Sequence, residues 1–207
     1  MKRSVLLMLC GTAALALSRP AWANLDYWKV VEVSGVCEIA DTPTSGWRPA
    51  ASPLFLKKGS SIRTDKKGSA DIVLNHSRES VLHIGENTRL DFLERTPHKL
   101  RLEGGSLFAL MEAQGDSLEI STPCSEVTLS LGAAAIESGD SGDRIRVFSE
   151  SAVVQSRTVP EGLKLHVSPQ GVAEEAQRME FGDYNDWQQW LRKNYERNDK
   201  ARLGGRP

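Results

Sequence analysis

The stretch GSSIRTDKKGSADIVLNHSRESVLHIG, residues 59–85, decides the fold class. Ile72 and Leu74 alternate with neighbours that are polar or smaller, and Leu82 and Ile84 repeat the pattern. A period of two is the mark of half-buried strands. The intervening "DKKGS" supplies Gly68 for a turn. This pattern places Ile62, Ile72, Leu74, Leu82 and Ile84 inside, with Arg63, Asp71, Arg78, Glu79 and His83 outside.

The same alternation runs on either side, from Tyr27 to Val172. Upstream lie Val31, Val33 and Val36. Downstream come Leu90/Phe92, Leu100/Leu102, Phe108/Leu110, Leu118/Ile120, Val127/Leu129, Ile145/Val147 and Leu163/Leu165. Between them stand polar residues such as Asp91, Arg101, Glu119, Thr128, Arg146 and Lys164. Strands recur about every ten residues, the spacing of an all-β sandwich or solenoid. Glycine-bearing spacers, at Gly85, Gly104-Gly105, Gly115 and Gly139 to Gly142, read as turns between successive strands. The segment 43–53, PTSGWRPAASP, reads as a loop, with Trp47 either pinning it to the core or exposed for contact.

The C-terminus changes period. From Asp183, read as the N-cap, Tyr184, Trp187, Trp190, Leu191 and Tyr195 fall on one face of a helix over about residues 183–202. That face either caps the β domain or docks a partner. With Trp47, these residues are the candidate partner-binding set. The sequence divides into 1–23, a β domain over 24–172, and a linker, helix and tail over 173–207.

Residues 1–23 read as a secretory signal peptide. Lys2 and Arg3 precede an apolar run from Ser4 to Leu17, and Ala21-Trp22-Ala23 offers a cleavage site before Asn24. The run is shorter than the ~20 residues a membrane span needs. Leu9 before Cys10 does not fit a lipobox. The expected location is the periplasm or the extracellular space, with no transmembrane segment in the mature chain. Three of the 26 basic residues and none of the 27 acidic ones leave with the signal, so the mature chain is mildly acidic. Such a balance gives no electrostatic footprint for nucleic acid.

Cys37 and Cys124 remain in an oxidising compartment. They either form one long-loop disulfide, worth about 4 kcal/mol on the chain-entropy estimate, or stay as two small apolar side chains.

No catalytic constellation is visible. GDSG, residues 139–142, imitates the surroundings of a serine-protease nucleophile but lies between two alternating runs, where it makes a turn. His76, His83, His98 and His166 show no metal spacing and read as solvated. "LEGGS" precedes a strand rather than a helix, so it is no phosphate loop. The expectation is a non-enzyme without cofactors.

The order of segments resembles the FecR domain family. VEVSGVCEIA looks like its opening strand, and residues 56–92 look like its most typical block, with Ile62-Arg63-Thr64. LRLEGGSLFALM, the Thr122-Pro123 segment and RIRVFSESAVVQS follow in the family's order. The resemblance covers about residues 30–171. Beyond Thr-Pro, Leu131-Gly132-Ala133-Ala134-Ala135-Ile136 departs from the family's Gly-Thr pattern.

The resemblance implies an exported domain of two packed twisted sheets. The best-known members relay signals from an outer-membrane transporter to a sigma factor, and carry a cytoplasmic anti-sigma region and one membrane helix. Neither is recognisable in this sequence. The expectation is therefore a protein-interaction module in envelope signalling or assembly, binding through an exposed sheet edge or the C-terminal helix. The alternative is glycan or peptidoglycan binding through Trp47 and Trp28.

Overall fold

The computed structural model describes residues 28–75 and 80–203. Residues 1–27, with the expected signal segment 1–23, residues 76–79, with His76, Arg78 and Glu79, the tail 204–207 and the side chains of residues 193–203, with Tyr195, lie outside that description. In chain order the elements are β1 Trp28–Ser34, β2 Cys37–Ala40, β3 Arg48–Pro49, β4 Leu54–Leu56, β5 Ser61–Thr64, β6 Ser69–Val73, β7 Ser80–Ile84 and β8 Arg89–Glu94. There follow β9 His98–Met111, β10 Leu118–Ser121, β11 Glu126–Leu129, β12 Gly132–Gly139, β13 Gly142–Val154, β14 Arg157–Pro160, β15 Leu163–Val167, β16 Gln177–Arg178 and α1 Phe181–Leu203. The chain is all-β with one C-terminal helix, as its alternation predicts.

Two sheets form. The first runs β4-β1-β6-β7-β9-β12-β13-β15-β16, every neighbour antiparallel. The second runs β3-β2-β5-β8-β9-β10-β11-β13-β14, antiparallel except where β10 lies parallel to β9. Strands β9 and β13 belong to both. In β9, residues up to Gly104 pair in the second sheet and residues from Gly105 pair in the first. In β13, Gly142 to Glu150 pair with β12, and Ser151 onward pairs with β14.

Gly104-Gly105 is therefore not a turn between strands but a corner within one. Gly105 holds φ at +96° there, and Ser106 N–H donates to Thr88 Oγ1 (2.9 Å) to fix the bend. The corner of β13 has Glu150 in the left-handed region, at φ +61°.

One core lies between the sheets. Trp28, Ile72, Leu82, Ile84, Leu107, Ile136 and Ile145 meet Ile39, Ile62, Leu90, Phe92, Leu102, Ile120 and Val154 in it. The alternation identifies most of these residues. It misplaces two strands. The pairing register slips between Val30 and Glu32, so Trp28 and Val30 face the core while Val36 is exposed. In β9, Leu107, Ala109 and Met111 face the core, and Phe108 and Leu110 turn to the opposite face.

That opposite face carries α1. Trp187 and Trp190 pack on Val81, Phe108, Ala133, Ala135 and Phe148, forming a second apolar cluster on the outside of the first sheet. The helix begins at Phe181, two residues before the expected N-cap. Asp183 occupies the third helical position and its Oδ2 accepts the N–H of Glu180 (2.8 Å), the reciprocal half of a capping box.

Of the two alternatives for the cysteines the second holds: Cys37 and Cys124 are both free. In the second sheet β5, β8 and β9 stand between β2, which begins at Cys37, and β10, which precedes Cys124. Four strand steps of about 4.8 Å separate them, far beyond the reach of a disulfide. Cys37 is buried with its Sγ near the Ser69 carbonyl (3.3 Å), and burial pushes its thiol pKa up. Alkylation in urea without prior reduction is expected to modify both thiols, and a reductant to leave the melting temperature unchanged. A bridged pair would resist alkylation until reduced.

Candidate protein-docking surfaces

The two outer faces differ. On the first sheet, Asp71, His83 and Arg146 read as solvent-facing from their alternation, yet α1 covers them. Asp71 is 2% exposed. It pairs with His83 Nδ1 at 2.6 Å and accepts the indole N–H of Trp190 at 3.2 Å. His83 also lies near the rings of Phe108 and Trp190. Arg146 is 5% exposed, donates to the Asp183 carbonyl (2.9 Å) and to Glu137, and lies over the rings of Phe108 and Phe148. Lys164 Nζ reaches Asp183 Oδ2 at 2.9 Å. Burial pushes the Asp183 carboxyl up, but the Glu180 N–H, Lys164 and Arg146 outweigh it and hold its pKa below the ordinary carboxylate value.

Of the two readings of the helix, this arrangement fits the cap. Trp187 is 5% exposed, stacked on Phe148 with ring centroids 4.9 Å apart, and Trp190 is buried beside it. Tyr184 and Leu191 are half-buried against the same cluster. The aromatic face of α1 seats the helix on its own sheet.

The outer face of the second sheet is open. Glu38 sits opposite Arg63, and Arg63 opposite Arg89, on neighbouring strands. Arg63 pairs with Glu38 (Nη2 to Oε2, 2.6 Å). Trp47 lies over Arg63 with the guanidinium carbon 4.3 Å from its ring, and Arg89 stands 5.7 Å away. Trp47 is thus half-buried on arginines at the surface rather than pinned in the core. Stacking under the ring offsets the like charges of the cross-strand Arg pair. The result is a preorganised Trp–Arg cluster, the residue types that dominate protein interfaces. Trp28, in contrast, is fully buried, so it presents no ring to a sugar.

The edges are protected. β3 ends on Pro49, β14 ends on Pro160, β4 has three residues and β16 two. Short, proline-bearing edges resist strand addition.

The remaining motifs are structural. Gly139 and Gly142 flank a two-residue turn, so GDSG is a hairpin, and Asp143 next to it is fully buried. Asp143 Oδ2 accepts the hydroxyls of Thr122 and Ser125, and Thr122 Oγ1 accepts the N–H groups of Cys124 and Ser125. The Thr-Pro segment is thereby latched to β13. Thr64 does similar work by donating to the Gly85 carbonyl (2.6 Å) and accepting Thr88 N–H (2.9 Å). His166 pairs with Glu174 (3.0 Å) and the Ser141 carbonyl (3.0 Å). Among the described residues, no group of three or more His, Cys, Asp or Glu is placed to hold a metal, and no helix is long and apolar enough to cross a membrane.

His98 is not solvated: it is 6% exposed, and its Nδ1 accepts the indole N–H of Trp28 at 3.2 Å. Burial lowers its pKa below 6.5, the Asp116 carboxylate opposes this, and the Arg95 guanidinium adds to it. The unfolded chain therefore binds the proton first. This contribution to stability is complete above about pH 6.5 and is lost as pH falls from there towards the folded pKa. Urea midpoints are expected to drop across that window, and His98→Gln to flatten the drop.

No protein-family model matches the sequence, and no curated protein does. Two crystal structures of a candidate anti-sigma factor from Parabacteroides distasonis ATCC 8503, at 1.65 and 2.50 Å resolution, are similar in fold. Each aligns with a TM-score of 0.52 at 16% sequence identity, over 62% of this chain and 64% of that one. This chain thus spans a little under two thirds of those proteins' length. What they share with it is the all-β architecture.

Proposed function

We propose that this chain is an exported, non-catalytic FecR-type module of the cell envelope that acts by binding another protein, in signalling or assembly. The observation that carries the reading is the two-sheet fold, similar to that of a candidate anti-sigma factor. The segment order over residues 30–171 agrees with it. The partner docks on the outer face of the second sheet around Trp47, Arg63 and Arg89. That face is open, whereas the aromatic face of α1 is occupied and the sheet edges are short.

Crosslinking in the native envelope followed by mass spectrometry tests this. Trp47→Ala, which leaves the core untouched, is expected to lower recovery of a defined protein partner at least tenfold. Recovery unchanged by Trp47→Ala but lost on removing residues 181–207 would move docking to α1 and overturn the assigned surface. Retention on peptidoglycan with no protein partner would overturn the reading itself.

A further inference from the structure

A cavity of about 430 Å³ lies where three connections meet: the end of β6, the β8–β9 turn and the β9–β10 turn. Leu74, Asn75, Arg95, Pro97, His98 and Asp116 line it. Its volume is at the lower end of the range for small-molecule sites. It belongs neither to the seat of α1 nor to the Trp47 surface.

The chemistry is set by a tautomer. An indole N–H can only donate. His98 Nδ1 accepts it, so the neutral imidazole carries its proton on Nε2. That Nε2, on a buried ring, lies 3.9 Å from Asp116 Oδ2, beyond hydrogen-bond reach. Asp116 Oδ2 also accepts Asn75 Nδ2 at 2.9 Å, which holds the carboxylate in place. A donor and an acceptor therefore lie 3.9 Å apart, and one oxygen set to the side of the line between them reaches both.

The bridging group must accept from Nε2–H and donate to a carboxylate. A ligand carboxylate or phosphate would meet the charge of Asp116. An ammonium has no lone pair for the imidazole. A hydroxyl satisfies both. Arg95 places its guanidinium in the wall, and Pro97 adds apolar surface.

We propose that this cavity binds a pyranose sugar, with one ring hydroxyl bridging His98 Nε2 and Asp116 Oδ2. The sugar is either free or the end of a glycan chain.

The test is NMR titration of the signal-free chain with glucose, N-acetylglucosamine and a disaccharide of each, with alanyl-alanine and inorganic phosphate as controls. Saturable shifts of the His98 ring and Asp116 amide resonances at millimolar sugar are expected, with none from the controls. Saturation by a monosaccharide identifies a free sugar, and saturation by disaccharides alone identifies a chain end. Asp116→Ala is expected to weaken binding at least tenfold, and Asp116→Asn, which keeps an acceptor, to weaken it less. Asp116 is half-buried and outside the core, and a melting curve for each variant checks the fold. Absence of shifts with every sugar, leaving the cavity to an ordered water only, would overturn the proposal. So would saturation by alanyl-alanine or phosphate, or sugar binding unaffected by Asp116→Ala. None of these outcomes depends on whether a protein partner binds at Trp47.

Discussion

Trp187→Ala is expected to release α1 from the first sheet while the two-sheet body stays folded. Trp187 stacks on Phe148 at an interplanar angle of 8°, lies parallel to Phe108 at 6.2 Å and touches Trp190 at 5.0 Å. Removing a buried tryptophan costs about 3–5 kcal/mol. Here that loss falls on one local interface, because the apolar cluster under α1 is separate from the core between the sheets. A helix in a protein draws most of its stability from packing its apolar face. Hydrogen exchange should show α1 amides losing protection, with limited proteolysis cutting inside 181–203. The urea transition of the body should move much less. Retained protection in α1 would mean that Arg146 and Lys164, rather than the tryptophans, hold the helix.

Gly105→Ala is expected to lower global stability by about 3–5 kcal/mol, since a strained left-handed residue and an overpacked contact cost about 1–3 kcal/mol each and here act together. Gly105 has φ +96°, and a Cβ there would collide with Thr88 and stand 2.7 Å from the Asn87 carbonyl. Besides the Thr88 hydroxyl, the atoms met are the Thr88 Cα and the Asn87 carbonyl, which are backbone and cannot swing aside. Gly46→Ala is the control, because a Cβ at Gly46 meets nothing within 4 Å. Urea denaturation should show a lower midpoint for the first variant and none of that change for the second.

Strand identity was legible because Ile72/Leu74, Leu82/Ile84 and Leu118/Ile120 alternate with polar residues on faces that differ. Where both faces are covered, the period loses its meaning. In Leu107 to Met111 every residue is apolar, so the sequence offers two equivalent frames and nothing local chooses between them. The burial of Asp71 depends on Trp190, 119 residues further on, a separation no local pattern spans. A signal was nevertheless present: Val81, Phe108 and Phe148 share the face of Asp71 and His83, and apolar residues on a nominally wet face announce a covering element. Gly104-Gly105 was misread because a corner and a turn make the same demand on the backbone. The Trp47 cluster could not be located at all, since it joins a loop to β5 and β8 through rings and guanidinium groups rather than through a spacing.

Strands β9 and β13 each run through both sheets. In an ordinary sandwich the two layers are joined by loops and held by side chains, so one layer can slide or peel while the other persists. Here the layers are joined twice by continuous hydrogen-bonded backbone. A load applied at the Trp47 face reaches the seat of α1 through strands shared by both layers. The body can yield only as one piece.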